Sequence, residues 1–196
     1  MSLKNSDLQY YDGNILRLSS EKRKEYHAQV DNLIAELRKH ITVNSDLKVK
    51  KVVKAGSFAK FTILKKTAED DIDVDVVFYI DGKNIDDTTL DNLNDLIYSL
   101  LTKIYPTKAV EDFEIQRRAA TVTFVKSGIS VDIVPVIQDE LDPNHGWQYD
   151  LKSKERNLTC APCHIQFIQD RKNSDKHYRT LVRMAKRWKN FACPPG

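Results

Sequence analysis

The chain has 196 residues, a formal net charge of +3, and 41% hydrophobic and 30% charged residues. This length suits one domain, or one domain with a small part of another, and the composition is typical of a soluble globular protein. The small net charge permits a local basic groove but does not by itself indicate nucleic-acid binding. Apolar runs fall short of the ~18 residues of a membrane span, so we expect a cytoplasmic protein with no membrane partner.

The first strong element along the chain is a long amphipathic helix. Residues 1–18 are polar and aperiodic, which predicts an N-terminal arm that is either a strap or loosely held. A helix is predicted from Ser20 onward, with Ser19 or Ser20 as its cap. Its apolar positions recur at helical spacing and are Tyr26, Val30, Leu33, Ile34, Leu37 and Ile41.

A strand and a candidate phosphate-binding turn follow. Residues 47–53 combine valines and lysines and predict a first strand that leads to Gly56. Glycine allows a sharp turn and a close approach of the backbone to a ligand. The N–H groups that open the next short helix, together with the Ser57 hydroxyl, can bind phosphate oxygens. Lys60 and Thr62 fall on the helix or loop behind this turn.

Alternating aspartates mark the next strand. Successive side chains on a strand point to opposite faces, so Asp73 and Asp75 share one face while Val74 and Val76 share the other. Two adjacent carboxylates in an apolar strand need a cation between them, and oxygen ligands without nearby His or Cys favour Mg²⁺ or Mn²⁺. Asp71 lies on the same face, so Asp71 and Asp73 form an alternative metal pair.

Helices are predicted on both sides of a central hairpin. Thr88 or Thr89 caps the helix that precedes the hairpin, and this helix ends before Pro106. After Pro143 the composition becomes polar, and helical periodicity returns between residues 165 and 188. The predicted domains are an arm at 1–18, a catalytic core at 19–145 and the beginning of a helical lobe at 146–196.

The hairpin supplies a third carboxylate. Residues 119–126 and 129–136 are β-rich and flank Ser127-Gly128, which predicts a tight turn. Asp132 is the only charged residue of the second run. A lone aspartate in a central strand needs a partner, and a metal bound by the acidic strand offers one. Three carboxylates on neighbouring strands predict a two-metal site, in which one ion activates a hydroxyl and the other neutralises a triphosphate.

Three blocks of the sequence together resemble one known superfamily. Gly56-Ser57, then Asp73-Val74-Asp75-Val76, and later Val131-Asp132-Ile133-Val134-Pro135 are similar to the signature of the polymerase-β-type nucleotidyltransferases. Residues 56–62 and the block at 181–188 resemble the branch of oligoadenylate synthetase and cyclic GMP-AMP synthase. Within that branch the sequence is most similar to the bacterial cyclic-oligonucleotide synthases of anti-phage signalling.

The resemblance implies a fold and an activity. The implied fold is α+β, with a mixed β-sheet flanked by helices, a long N-terminal spine helix and the start of an α-helical second lobe. The implied enzyme is a metal-dependent nucleotidyltransferase that joins nucleoside triphosphates such as ATP into a cyclic or linear oligonucleotide second messenger and releases pyrophosphate. Activating or effector proteins are expected partners. Relatives continue well beyond the last predicted helix, so we expect most of the helical lobe to be absent.

The resemblance also assigns roles to individual residues. It makes Asp73, Asp75 and Asp132 catalytic metal ligands, and it favours the 73/75 pair because Asp75 leads directly into an apolar stretch. The implied nucleotide-binding residues are Gly56, Ser57, Lys60, Thr62 and Lys186. Phe61 departs from the pattern, since the family usually has glycine there.

Other functions share these residues. A template-independent nucleotidyltransferase that modifies RNA, a protein or a small molecule would use the same three aspartates. A non-catalytic module would bind nucleotides without releasing pyrophosphate. A zinc-stabilised interaction domain would contain stoichiometric zinc.

The cysteines bear on this last alternative. Three cysteines, an odd number, argue against a disulfide framework. Cys160, Cys163 and His164, with Cys193 or His177, are candidate zinc ligands. A single Cys-x-x-Cys without a second pair is a weak pattern, so ordinary thiols are the other interpretation.

Overall fold

The structure, a computed structural model, describes residues 4–65, 72–82 and 92–192. Its helices are α1 (Asn5–Tyr11), α2 (Ser20–Asn44), α3 (Gly56–Ala59), α4 (Leu93–Ile104), α5 (Ala161–Ser174) and α6 (Tyr178–Ala192). Its strands are β1 (Val49–Lys54), β2 (Ile72–Ile80), β3 (Phe113–Ile115), β4 (Ala120–Phe124), β5 (Ile129–Gln138), β6 (Gly146–Asp150) and β7 (Glu155–Thr159). None of the helices in these ranges is long and apolar enough to cross a membrane.

The strands form one mixed sheet, which confirms the predicted α+β class. Its order is β1-β2-β5-β4-β3, with β6 paired to the end of β5 and β7 paired to β6. Strands β2 and β5 run parallel, while the other pairs in the described chain are antiparallel. A parallel pair requires a long crossover, and the chain between β2 and β5 contains α4, β3 and β4.

The apolar face of the sheet explains why α2 and α4 lie where they do. Val74, Val76 and Phe78 of β2 are fully buried on this face. The helical stripe predicted for α2 packs against it, and the Ser19 side chain caps the helix by accepting a hydrogen bond from the Lys22 N–H at 3.2 Å. The buried residues that the two helices contribute to this core are Tyr26, Val30, Leu33, Leu37, Ile41, Ile97, Leu100 and Leu101.

The hairpin of β4 and β5 is confirmed, with a longer connection than the predicted turn. Four residues, 125–128, join the strands, and the register places Thr121 opposite Asp132. A two-residue turn at Ser127-Gly128 would have placed Thr123 there. Because the shift is two residues, the alternation of faces is unchanged.

The described part of the N-terminal arm is helical and anchored, which agrees with a strap and not with a loosely held arm. Helix α1 continues into a π-helical turn, Asp12–Leu16, in which Leu16 is fully buried. Asp12 forms a bidentate ion pair with Arg183 of α6, at 2.6 Å to both Nε and Nη2. Both side chains are almost fully buried. Sequence periodicity missed this anchor because it comes from an ion pair between residues 171 positions apart.

The sheet continues beyond the predicted core boundary at residue 145. Strands β6 and β7 lie within 146–159 and extend the same sheet through β5. Residues 146–150 and 155–159 are therefore strands joined by a turn, and the helices of that region start at Ala161. The division into domains stays a prediction.

The structure does not test the predicted start of α4. The caps proposed at Thr88 and Thr89 lie outside the described residues, and α4 as described begins after Asn92.

Candidate active site

The aspartates of β2 and β5 meet on the face of the sheet opposite the core. In the parallel pair, Asp75 lies directly opposite Asp132, and Asp73 lies opposite Ser130. Side chains of paired positions share a face, so the three predicted carboxylates project to the same side. Asp73 is exposed, and Asp75 and Asp132 are half-buried. Asp71, the alternative ligand, lies outside the described residues.

Asp132 sits in an environment that disfavours its ionised form. Burial raises the pKa of its carboxyl, and the negative charges of Asp75 and Glu114 raise it further. One opposing contact is present, because the Thr121 hydroxyl donates a 2.6 Å hydrogen bond to Asp132 Oδ1. A cation between Asp75 and Asp132 would relieve this repulsion, and their oxygen donors are the ligands that Mg²⁺ and Mn²⁺ prefer. The donor set therefore fits the predicted divalent metal.

Gly56 packs against the acidic strand. The Ala55 N–H donates to the Asp75 carbonyl at 2.7 Å, which brings the turn onto β2. A Cβ on Gly56 would lie 1.5 Å from Asp75 Oδ2, and the φ of Gly56 is +57°. Both the space and the conformation require glycine. The turn and the carboxylate thus form one unit, at the start of the predicted short helix α3.

The predicted cationic residues approach the same carboxylate. Burial lowers the pKa of the half-buried Lys186, the positive charge of Lys60 lowers it further, and the charge of Asp75 opposes both effects. Lys186 on α6 is therefore close enough to Asp75 and to Lys60 to interact electrostatically with both. Lys60, which follows α3, lines the same cavity as Asp75. Thr62 plays a different part, because it is buried and its N–H donates to the Ser57 carbonyl at 3.0 Å. It stabilises the turn from behind, whereas Ser57 is half-buried at the start of α3.

Comparison with known proteins identifies the family to which the chain belongs. Residues 1–172 match the profile of the Second Messenger Oligonucleotide or Dinucleotide Synthetase domain. The chain belongs to this family. It is 53% identical over 195 residues to an Escherichia coli (strain KTE188) protein named CBASS oligonucleotide cyclase CdnC, covering 99% of this chain and 62% of the relative. It is 32% identical over 177 residues to the cyclic AMP-AMP-AMP synthase of E. coli (strain MS 115-1), covering 88% and 53%.

Solved structures of the synthetase family share the fold. E. coli MS115-1 CdnC with ATP superposes with a TM-score of 0.74 at 28% identity, over 96% of this chain and 58% of that one. The apo form of Vibrio cholerae DncV superposes with a TM-score of 0.75 at 13% identity, over 96% and 68%. The chain spans about six-tenths of the length of its CdnC relatives.

The cleft beside Asp75 has walls that sequence reasoning missed. A cavity of about 220 Å³ lies between the Gly56 turn, β2 and the start of α5. The residues that complete its wall are Val134, Gln148, Thr159, Ala161 and His164. Their types alone gave no signal, since they come from four elements, β5, β6, β7 and α5, that only the fold brings together. Thr121 could have been found from the hairpin, had the turn length been known.

Phe61, the departure noted from the resembling pattern, has a backbone conformation that suits glycine. Its φ is +60°, in the left-handed region that glycine adopts readily. The ring stacks against two guanidinium groups, Arg23 at 3.8 Å and Arg179 at 4.8 Å from its centroid. Its carbonyl accepts a 2.6 Å hydrogen bond from Arg183. These contacts hold phenylalanine in a conformation it otherwise disfavours.

The cysteines differ from both sequence interpretations. Cys160 and Cys163 form a disulfide, although an odd cysteine count argued against disulfide pairing. His164, a proposed zinc ligand, lines the cleft beside Asp75 instead. Within the described residues, the His close to both sulfurs is His145. Cys193 lies outside the described residues.

Proposed function

We propose that this protein is a metal-dependent nucleotidyltransferase that joins nucleoside triphosphates into a cyclic or linear oligonucleotide. The observation that carries the proposal is the direct opposition of Asp75 and Asp132 on one sheet face, with Gly56 in contact with the Asp75 carboxylate. This places candidate metal ligands beside a candidate phosphate seat. The names of the 53% and 32% identical relatives, an oligonucleotide cyclase and a cyclic AMP-AMP-AMP synthase, support the same reaction class.

Each group has a separate role in the proposed transfer. The backbone N–H groups at Gly56 and Ser57 bind the triphosphate of the donor, and Lys60 and Lys186 supply positive charge near it. Asp73, Asp75 and Asp132 would hold Mg²⁺ or Mn²⁺, which supplies charge neutralisation and a more acidic acceptor hydroxyl when bound. The acceptor ribose oxygen forms a bond to the α-phosphorus as the bond to pyrophosphate breaks, and the hydroxyl proton leaves with solvent or a carboxylate.

The biological setting is also a proposal. We infer that the product is a second messenger of cytoplasmic anti-phage signalling, because the 53% identical relative is named for CBASS. A CdnC that superposes on 98% of this chain has been solved in complex with a HORMA protein. A regulatory protein partner is accordingly part of the proposal.

Synthesis from labelled substrates tests the activity. The protein is incubated with each α-labelled nucleoside triphosphate and Mg²⁺ or Mn²⁺, and phosphatase-resistant products are resolved. We expect small resistant products that disappear in the Asp73→Ala/Asp75→Ala variant and persist in Asp46→Asn, a change of an exposed carboxylate that does not line the cleft. Label found on an added RNA or protein acceptor would favour a tailing or modifying transferase. Equal product from the double variant would overturn the proposal.

A further inference from the structure

A cluster of soft metal ligands lies behind the cleft, apart from the three aspartates. A ring nitrogen of His145 and the sulfurs of Cys160 and Cys163 all lie within 4.8 Å of one another. His145 ends the loop between β5 and β6, and the two cysteines begin α5. Cys163 is exposed and His145 is half-buried, so a small reagent can reach the cluster from solvent.

We propose that, when the Cys160–Cys163 disulfide is reduced, these three residues bind a thiophilic divalent cation of the Zn²⁺ type. Tetrahedral zinc with bonds of ~2.3 Å to sulfur requires the two sulfurs to be ~3.8 Å apart. The observed cluster needs only the opening of the disulfide to reach that spacing. Water takes the fourth position, as in zinc sites with three protein ligands.

The surroundings of His145 favour metal binding through its outer nitrogen. Its Nδ1 lies 2.9 Å from Asp142 Oδ2, an arrangement that fixes the ring and leaves Nε2 to bind a metal. Asp142 is itself held, because its N–H donates to Asp139 Oδ2 at 3.1 Å and its Oδ1 accepts from the Asn144 N–H at 2.8 Å. A carboxylate that orients a ligating histidine is the usual outer shell of a protein zinc site.

The reaction balances with a thiol as reductant. Two molecules of a low-molecular-weight thiol reduce the disulfide to two cysteine thiols and become one disulfide themselves. The two thiols then lose two protons as the cation binds. Since the cluster contains thiolates, it selects softer cations than the all-oxygen aspartate site, which favours Mg²⁺.

The two states of the cluster connect different parts of the fold. The disulfide joins residues three positions apart within the first turn of α5. A bound cation would also tie the loop at His145 to α5, whose Ala161 and His164 line the cleft. Metal binding would therefore stabilise one wall of the cleft, an effect the disulfide cannot produce.

Cobalt binding tests this proposal without relying on catalysis. The full chain is reduced, freed of reductant under anaerobic conditions, and titrated with Co²⁺. We expect a thiolate-to-cobalt charge-transfer band that saturates at one ion per chain and disappears on addition of Zn²⁺. Cobalt at the aspartate site gives no such band. The Cys193→Ser control should keep the band, Cys160→Ser and Cys163→Ser should lose it, and Asp142→Asn should weaken affinity about 10- to 100-fold.

A second measurement uses no variant. Zn²⁺ should protect Cys160 and Cys163 of the reduced protein from alkylation and raise its thermal unfolding midpoint, while leaving the midpoint of the oxidised protein unchanged. A reduced protein without the cobalt band, or alkylation equally fast with and without Zn²⁺, would overturn the proposal. Retention of the band in both cysteine-to-serine variants would also overturn it.

Discussion

Asp75 and Asp132 occupy directly opposed positions of β2 and β5, the parallel strand pair of the described sheet. Parallel pairing is what brings together two carboxylates that are 57 positions apart in the sequence, and it leaves them on the face that α2 and α4 do not cover. Burial and the charge of Asp75 both raise the pKa of Asp132. A site with this repulsion is prepared for a cation.

Thr121 is predicted to be a positioning residue for Asp132. Removing its hydroxyl in Thr121→Val deletes the 2.6 Å hydrogen bond to Asp132 Oδ1 and should weaken divalent-metal affinity about 10- to 100-fold. Thr121→Ser should restore most of it. Thr123→Val is the matched control, because Thr123 lies on the same strand face but pairs with Ser130 at 2.7 Å. Metal affinity can be followed by Mn²⁺ paramagnetic resonance, and equal losses in the two valine variants would refute the assignment.

Gly56→Ala should abolish nucleotide binding at the turn. The new Cβ would overlap Asp75 Oδ2, and alanine is disfavoured at a φ of +57° by about 1–2 kcal/mol. Displacement of the turn or the carboxylate by about 1 Å is enough to lower kcat/KM about 100-fold. The matched control is Gly13→Ala, since a Cβ at Gly13 meets nothing within 4 Å. Comparable kinetics for both alanine variants would contradict the close contact.

Lys186 is expected to contribute charge to the triphosphate. Lys186→Met should lower kcat/KM for nucleoside triphosphates at least about tenfold, because a charge-assisted contact in a partly buried site is lost. Lys189→Met, three positions along the same helix and exposed, should leave kcat/KM within about twofold. Steady-state kinetics of the two variants make the comparison. A similar effect from Lys189→Met would indicate a general effect of charge on α6.

The buried pair of Asp12 and Arg183 should contribute strongly to stability. Arg183→Met leaves the Asp12 carboxylate buried without its bidentate partner and should cost about 3–5 kcal/mol in the free energy of unfolding. The double variant Asp12→Asn/Arg183→Met should lose less than the sum of the single changes. Glu25→Gln, which breaks the exposed pair with Lys22, should cost under about 1 kcal/mol. Urea unfolding compares the wild type with Arg183→Met, Asp12→Asn, the double variant and Glu25→Gln, and additive losses would argue against a coupled pair.

The same carboxylate predicts a dependence of stability on pH. Burial opposes ionisation of Asp12, but hydrogen bonds from Arg183 and Thr180 and the charges of Arg183 and Arg17 lower its pKa overall. In the unfolded chain an aspartate titrates near about 3.9. The contribution of ionised Asp12 to the free energy of unfolding is therefore complete above about pH 4. It is lost as the pH falls through the lower pKa that Asp12 has in the folded protein. Thermal unfolding from neutral to acidic pH should show the wild-type advantage over Asp12→Asn shrinking below pH ~4; a constant difference would contradict it.

The elements that could be predicted from sequence are those with strong local periodicity. The stripe of α2, the alternation at Asp73 and Asp75, and the hairpin around Ser127 follow from helical or strand spacing alone. The link between Asp75 and Asp132 came from the cost of a lone aspartate in a central strand and from the resemblance to nucleotidyltransferases, since no local pattern contains it. The comparisons confirm this family assignment.

The features that sequence did not predict depend on long-range contacts. Local periodicity gave no sign that Arg183 is buried against Asp12, because the burial arises where residues 5–16 fold as a helix over α6. Strands β6 and β7 have few β-branched residues, and their assignment to the sheet depends on pairing with β5. His145 and the cysteines are 15 positions or more apart, and only the turn before β6 brings them together.

Binding of Mn²⁺ with a nucleoside triphosphate is the most direct test of the central claim that Asp75 and Asp132 form a metal–nucleotide site. Paramagnetic resonance of free Mn²⁺ is followed as protein is added with ATP, for the wild type, Asp75→Asn, Asp132→Asn and the control Asp46→Asn. We predict that the wild type and Asp46→Asn remove Mn²⁺ from solution in an ATP-dependent manner, and that the other two variants bind at least about 100-fold more weakly. Equal binding by all four folded proteins would contradict the account.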